Sequence, residues 1–303
     1  MIVLRVHLLN KCRPTVSLTT FFFAMSFLAT PCNSQILDHL NKSKDKSPLI
    51  IDAEKSVVCD ETANTCVATG LAKAQKGTSI IYGDVLTVHF TKDRDITTVT
   101  ADGHVRMETP TETAYGEHAH YDVALDRVLM TGGNLRIVTP KETLTAKDSL
   151  EYWHTDNKGI ARGHAVADLS SRKQLVTADT LIAYFAPAKE ENKKAEIDHI
   201  DAFGNVLASG PNGIVTGDRG TYFGKTEIIE VFDNVKITQG ENIIQGGYGR
   251  ANLKTNLAEI FPCHPQTKQD GPPQRISGFI IPKDVQKGKK TRITPQQRNE
   301  EAR

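Results

Sequence analysis

Between Gly70 and Leu253 the chain alternates apolar and polar residues in short runs that restart six times, each time after a small turn residue. The turn residues are Gly70, Gly103, Gly133, Gly163, Gly204 and Asp233. A second marker follows each of them at a nearly constant distance, in order Asp84, Glu117, Asp148, Asp179, Asp218 and Gly247. In a β-strand residues i and i+2 share a face. Two and four residues past the turns stand Ala72 and Ala74, Val105 and Met107, Leu135 and Ile137, Ala165 and Ala167, Val206 and Ala208, and Val235 and Ile237, all apolar. The residues between them, such as Lys73, Arg106, Arg136 and Lys236, are mostly charged, which gives this strand a dry face and a wet one.

Past the second markers the same count gives Leu86 and Val88, Ala119 and Tyr121, Leu150 and Tyr152, Leu181 and Ala183, Gly220 and Tyr222, and Gly249 and Ala251. The recurrence, at two strands per unit, predicts one antiparallel pair per repeat, able to bury its apolar face only by stacking on its neighbours. Alternation continues upstream of the turns at Val99 and Ala101, Ile200 and Ala202, and Ile229 and Val231, so the strand runs through the small residue, which relieves a bend or bulge. The expected fold is therefore all-β and elongated, built from about six antiparallel strand pairs. A short strand over Leu49 to Ala53 opens it, and a charged insertion at Pro187 to Lys194 lengthens the fourth interval.

The ends read differently. Residues 1–34 carry Arg5, Lys11 and Arg13, then the apolar Val16 to Leu28 stretch, then Cys32-Asn33-Ser34, the layout of an export signal. A polar leader spans 35–48, the folded domain 49–262, and a basic, largely disordered tail 263–303. Loss of the signal leaves 34 basic against 36 acidic residues, a net charge of about −2, and the tail takes nine of the basic ones. An acidic body argues against nucleic-acid binding. Cys59 and Cys66 flank a polar turn between two β-prone runs, so a disulfide across a hairpin is expected, in keeping with an oxidising compartment. Cys263 is left without a partner among the mature cysteines.

Candidates for catalysis are few. His118 and His120 share a strand face, but it is the wet one, and no third ligand stands at a recognisable distance, so no metal site is expected. There is no nucleophile elbow, phosphate loop or dinucleotide fingerprint, and Gly246-Gly247-Tyr248-Gly249 has the wrong spacing for one. The acids that recur once per repeat read as turn chemistry. Neither an enzyme nor a cofactor is expected. The apolar face is the remaining candidate: it is rich in Ala and Gly, and facing sheets about 10 Å apart are normally filled by larger side chains. Space for an apolar ligand is expected there, lined by Leu86, Val88, Val105, Met107, Ala119, Tyr121, Leu135, Ile137, Leu150, Tyr152, Leu181, Val206, Tyr222, Val235 and Ile237.

The passages Ala68-Thr69-Gly70-Leu71-Ala72, Tyr82-Gly83-Asp84, Val128 to Leu135 and Gly217-Asp218-Arg219-Gly220-Thr221-Tyr222 resemble the OstA-like family of lipopolysaccharide-transport proteins, over about Leu49 to Ile260. The resemblance implies an open β-jelly roll whose interior cradles the acyl chains of lipid A. It further implies a periplasmic carrier that passes lipopolysaccharide from an inner-membrane complex to an outer-membrane translocon, joining similar domains, or further copies of itself, edge to edge. Two other readings stand beside it: a membrane-anchored adaptor of the same system with residues 1–34 retained, and a structural β-repeat scaffold or adhesin with a solid interior.

Overall fold

The computed structural model describes residues 3–9, 13–19, 48–170, 173–186, 197–211, 213–252, 254–255, 257–264 and 275–281. Its strands are β1 (Val3–Leu9), β2 (Arg13–Thr19), β3 (Ile50–Asp52), β4 (Ser56–Asp60), β5 (Thr65–Lys76), β6 (Ser79–Phe90), β7 (Ile96–Glu108), β8 (Thr113–Asp122), β9 (Arg127–Thr131) and β10 (Arg136–Val138). There follow β11 (Thr143–Thr145), β12 (Ser149–Trp153), β13 (Lys158–Leu169), β14 (Gln174–Phe185), β15 (Ile197–Gly210), β16 (Gly213–Phe223), β17 (Ile228–Gln239), β18 (Asn242–Asn252), β19 (Leu257–Phe261) and β20 (Ser277–Phe279). All belong to one antiparallel sheet. Sequence neighbours pair in order from β4 to β9 and from β12 to β19. In the middle the sheet is split: β9 lies against β12 while β10 lies against β11. Among the described residues no helix is long and apolar enough to cross a membrane.

Every long odd-numbered strand from β5 to β17 carries a two-residue kink with positive φ, at Gly70-Leu71, Gly103-His104, Gly163-His164, Gly204-Asn205 and Asp233-Asn234. At each kink two residues face one on the following strand. The register jumps between Thr69 and Ala72, for instance, leaving Gly70 and Leu71 opposite Asp84. The single opposing residues are Asp84, Glu117, Asp179, Asp218 and Gly247, which are four of the five downstream acids and the one glycine of that set. The third repeat departs from the expectation. Its positive-φ residues are Gly132 and Asn134, and Gly133 between them is not left-handed. The stretch from Gly132 to Leu135 bridges β9 and β10 there, so the bend is wider than a simple bulge.

The glycine and the acid fit each other sterically. A Cβ placed on Gly103 would fall within 3 Å of the Asp84 side chain, and Gly132, Gly163 and Gly204 stand in the same relation to Glu117, Asp148 and Asp179. Each acid thus fills the side-chain space of the next kinked strand's glycine. The second residue of the kink then bonds the acid: His104 Nδ1 lies 2.8 Å from Asp84 Oδ2, and Asn205 and Asn234 donate to Asp179 and Asp218 at 2.9 and 2.7 Å.

Because the kinks line up across the strands, the sheet bends along one line and its apolar face closes on itself. One continuous core collects residues from both sides of that line, among them Ala68 and Ala74, Leu86 and Ile81, and Ala101 and Met107. No other layer among the described residues could cover that face. All twelve apolar positions counted past the turns are buried or half-buried.

The expected opening strand is present as β3. Cys59 and Cys66 are directly paired across β4 and β5 and form a disulfide. Cys263 is also disulfide-bonded, in contrast to the unpaired thiol expected. The insertion at Pro187 to Lys194 lies outside the described residues. Most of residues 1–34, the stretch expected to be an export signal, does too; the backbone of β1 and β2 within it forms an antiparallel pair, with β2 alongside β19. Most of the tail 263–303 is likewise outside, but β20 within it pairs with β18 at Ile243 to Gln245, the stretch that β19 leaves uncovered.

Kink geometry is testable at one glycine and one histidine. Gly204→Ala, which forces a Cβ into Asp179 at φ +73, should lose about 1–3 kcal/mol of unfolding free energy by denaturant titration. Gly133→Ala, with open space around its Cα, should stay within about 0.5 kcal/mol. The pKa of His104 is raised by its hydrogen bond to Asp84 and then by the charge of that carboxylate. The pair's contribution is therefore complete below the ordinary histidine value and fades as pH rises through the raised one. An NMR titration of the His104 ring should show this midpoint above the ordinary value, and Asp84→Asn should bring it back down.

Candidate functional site

The bent sheet encloses an apolar cavity of about 250 Å³. Its lining comes from β8 to β17, and small residues make it: Ala161, Ala167, Ala183, Ala202, Ala208 and Gly220 leave room that Leu181, Tyr152, Tyr222, Phe185 and Ile229 border. It reaches the strand ends on both sides of the bend. On one side are the turns Thr109 to Glu112 and Thr139 to Glu142, which share a geometry: Thr N–H donates to Glu C=O at 3.0 and 2.9 Å, and Glu N–H to Thr Oγ1 at 3.2 and 3.0 Å. Glu112 and Glu142 border the cavity there. On the other side lie Tyr152, Phe185, Ile197 and Tyr222. A volume of 250 Å³ lies just below the roughly 300–1,000 Å³ of drug-sized pockets, enough for one alkyl chain rather than several.

Of the expected lining residues, Ile137, Leu150, Tyr152, Leu181, Val206 and Tyr222 border this cavity. The others do not. Leu86, Val88, Val105, Met107, Ala119, Tyr121 and Leu135 are buried in close-packed core at the β5–β10 end. Val235 is buried beyond the cavity's far end, and Ile237 packs near Tyr222. The small residues Ala72 and Ala74 create no space, because larger neighbours such as Ile81 and Leu86 share their cluster. Sequence reasoning missed Leu144 and Val176 as lining; both lie on the inward face upstream of the bend, where alternation alone could have placed them.

Outside the trough the chemistry is sparse. His118 is exposed on the outer face, with Nδ1 2.8 Å from Asp102 Oδ1. Among the described residues no group of three or more side chains could hold a metal. Tyr121 is held well above the ordinary tyrosine value by burial and by Asp126, to which its hydroxyl donates at 3.3 Å.

A single bent antiparallel sheet around an apolar trough defines a repeat-built β-protein. Comparison with known proteins places it more narrowly. The sequence profile of the family described as LptA/(LptD N-terminal domain) LPS transport protein matches twice in tandem, over residues 51–158 and 148–256, and the chain belongs to that family. No curated protein sequence matches it. Among solved structures, LptH, described as the LptA homologous periplasmic component of the conserved lipopolysaccharide transport device from Pseudomonas aeruginosa, is 12% identical over 79% of this chain and 99% of its own, with a TM-score of 0.21.

The split between filled and hollow ends is testable by side-chain volume. Ala72→Leu, at a position with no exposed surface, should cost about 1–3 kcal/mol through overpacking. Ala183→Leu, which points added carbons into the cavity, should cost less than about 1 kcal/mol in the same denaturant titration.

Proposed function

We propose that this chain is a periplasmic lipopolysaccharide carrier that holds acyl chain in the cavity between β8 and β17 and passes the lipid between envelope partners. The observation that carries the proposal is the cavity itself, long, dry-walled and lined by alkyl and aromatic groups within a lipopolysaccharide-transport fold. Each acyl CH₂ left in water costs about 0.8 kcal/mol, so a carrier needs such a surface. One chain fills the cavity, and the remaining chains lie along the opening between the two rows of strand ends.

Edge pairing supplies the partner contact. β4 pairs on one side only among the described residues, all five of its residues are exposed, and Val57 and Val58 are 47% and 61% accessible. Such an edge accepts a strand from a similar domain of an inner-membrane adaptor, an outer-membrane translocon or another copy of this chain. No nucleotide site is needed for this role, since the carrier is passive and the energy comes from its partners.

A photoreactive residue at Leu181 or Val206 should crosslink lipopolysaccharide in cells, and one at the outer-face position Arg106 should not. Equal adducts at all three positions, or none at the first two, would reject the cavity as the lipid site.

A further inference from the structure

Beside the cavity runs a second row of side chains on the outer face of the sheet. Arg127, Trp153, Lys158, Tyr184, His199 and Phe223 are successive cross-strand partners on β9, β12, β13, β14, β15 and β16. The Arg127 guanidinium and the Lys158 ammonium stand 5.1 and 5.2 Å from the Trp153 ring centre. Tyr184 and His199 stack at 4.2 Å and 14°, and His199 and Phe223 follow at 6.5 Å. One residue along each strand and on the opposite face is a row of cavity-lining residues: Val128, Tyr152, Gly159, Ala183, Ile200 and Tyr222.

The two rows begin together. On the strands before β9 the same outer row reads His89, Thr98 and Asp122, without a stacked ring, and the inner row there, Val88, Val99 and Tyr121, belongs to the filled end. The outer row sits where strands end and turn, at the border of the hollow part of the trough. An amphiphile with its chain among Tyr152, Ala183 and Tyr222 has its head carried to this rim. We propose that the row from Arg127 to Phe223 is a platform for the saccharide headgroup of a glycolipid, an inference that rests on the trough being a lipid site.

The chemistry favours sugar over phosphate or a bare membrane surface. Aromatic rings pack against the C–H faces of pyranoses, while hydroxyls need both donors and acceptors. The row offers both, because carboxylates stand among its nitrogen groups: Lys158 Nζ lies 2.6 Å from Asp156 and His199 Nδ1 lies 2.8 Å from Asp198, while the Arg127 guanidinium lies over the Trp153 ring. The Lys158 ammonium is already paired with Asp156, so the row presents no cluster of open cations of the kind that selects a phosphate. The Trp153 Nε1–H is already bonded to Glu151 at 3.2 Å, which fixes the indole for packing rather than for polar recognition. Phe223, 37% accessible, is the most open ring of the row.

The full chain would be titrated with dodecyl maltoside and with dodecyl phosphocholine, which share a chain and differ in head. The sole tryptophan is Trp153, so its emission reads the platform directly. Dodecyl maltoside should bind roughly two- to tenfold more tightly, the range of one or two aromatic contacts, and shift Trp153 emission where dodecyl phosphocholine does not. Phe223→Ser should erase the preference and leave phosphocholine binding unchanged, while the mid-wall variant Arg106→Gln should keep it. Equal affinities in the native chain, or a preference that survives Phe223→Ser, would overturn the platform alone. Failure of both amphiphiles to bind would overturn the lipid trough and the platform with it.

Discussion

The structure depends on one constraint: a sheet with a single apolar face has no second layer to cover it, so it must cover itself. Twist alone does not fold a sheet of this length onto its own face. Kinks at one place in every second long strand do, provided they stay in line, and the nearly constant spacing from kink to opposing acid keeps them there. The acid's second task is to occupy the side-chain space of the next strand's glycine, so bend and alignment share one pair of residues. A slip of one residue would put Val105 and Met107 in water and Arg106 in the core.

Within this frame, side-chain volume decides whether the closed face is solid or hollow. At the β5–β10 end Leu86, Val88, Val105, Met107 and Leu135 interdigitate. At the β12–β17 end alanine and glycine recur on facing strands, and the walls do not meet. The walls of this 250 Å³ space forgo the contacts that larger side chains would make there.

Much of this was legible in the sequence, because strand alternation is a direction and direction is local. Ala72, Val105, Leu135, Ala165, Val206 and Val235 all point inward as their count from the turn residue requires. The facing of Cys59 and Cys66 followed from two β-prone runs around a short turn. Depth was not legible. Val105 and Val206 have the same phase, yet one is packed and the other borders a cavity, since the difference lies in which neighbours arrive from strands far along the chain. The displaced bend at Gly132 was hidden because Gly132 and Gly133 are equivalent in composition and differ only in φ. The aromatic row at the rim was hidden because its members sit on six strands and meet only through the register.

The tandem family match divides the chain where the structure changes character. Residues 51–158 hold the first three kinks and nearly all of the solid core, and residues 148–256 hold the last three and most of the cavity. The shared stretch is β12 and its turn into β13, which puts Tyr152 against the cavity and Trp153 on the rim. At the far end of the solid half, β4 buries none of its residues, so packing contributes little to holding it in place. The Cys59–Cys66 disulfide closes a short loop there, a restraint of roughly 2–3 kcal/mol on the unfolded chain. A covalently held outer strand with exposed Val57 and Val58 at one end and a hollow trough toward the other are then consequences of one repeat filled in two ways. The solid half gives the edge a rigid base, and the small residues of the second half confine the empty space to the part of the sheet that borders the aromatic rim.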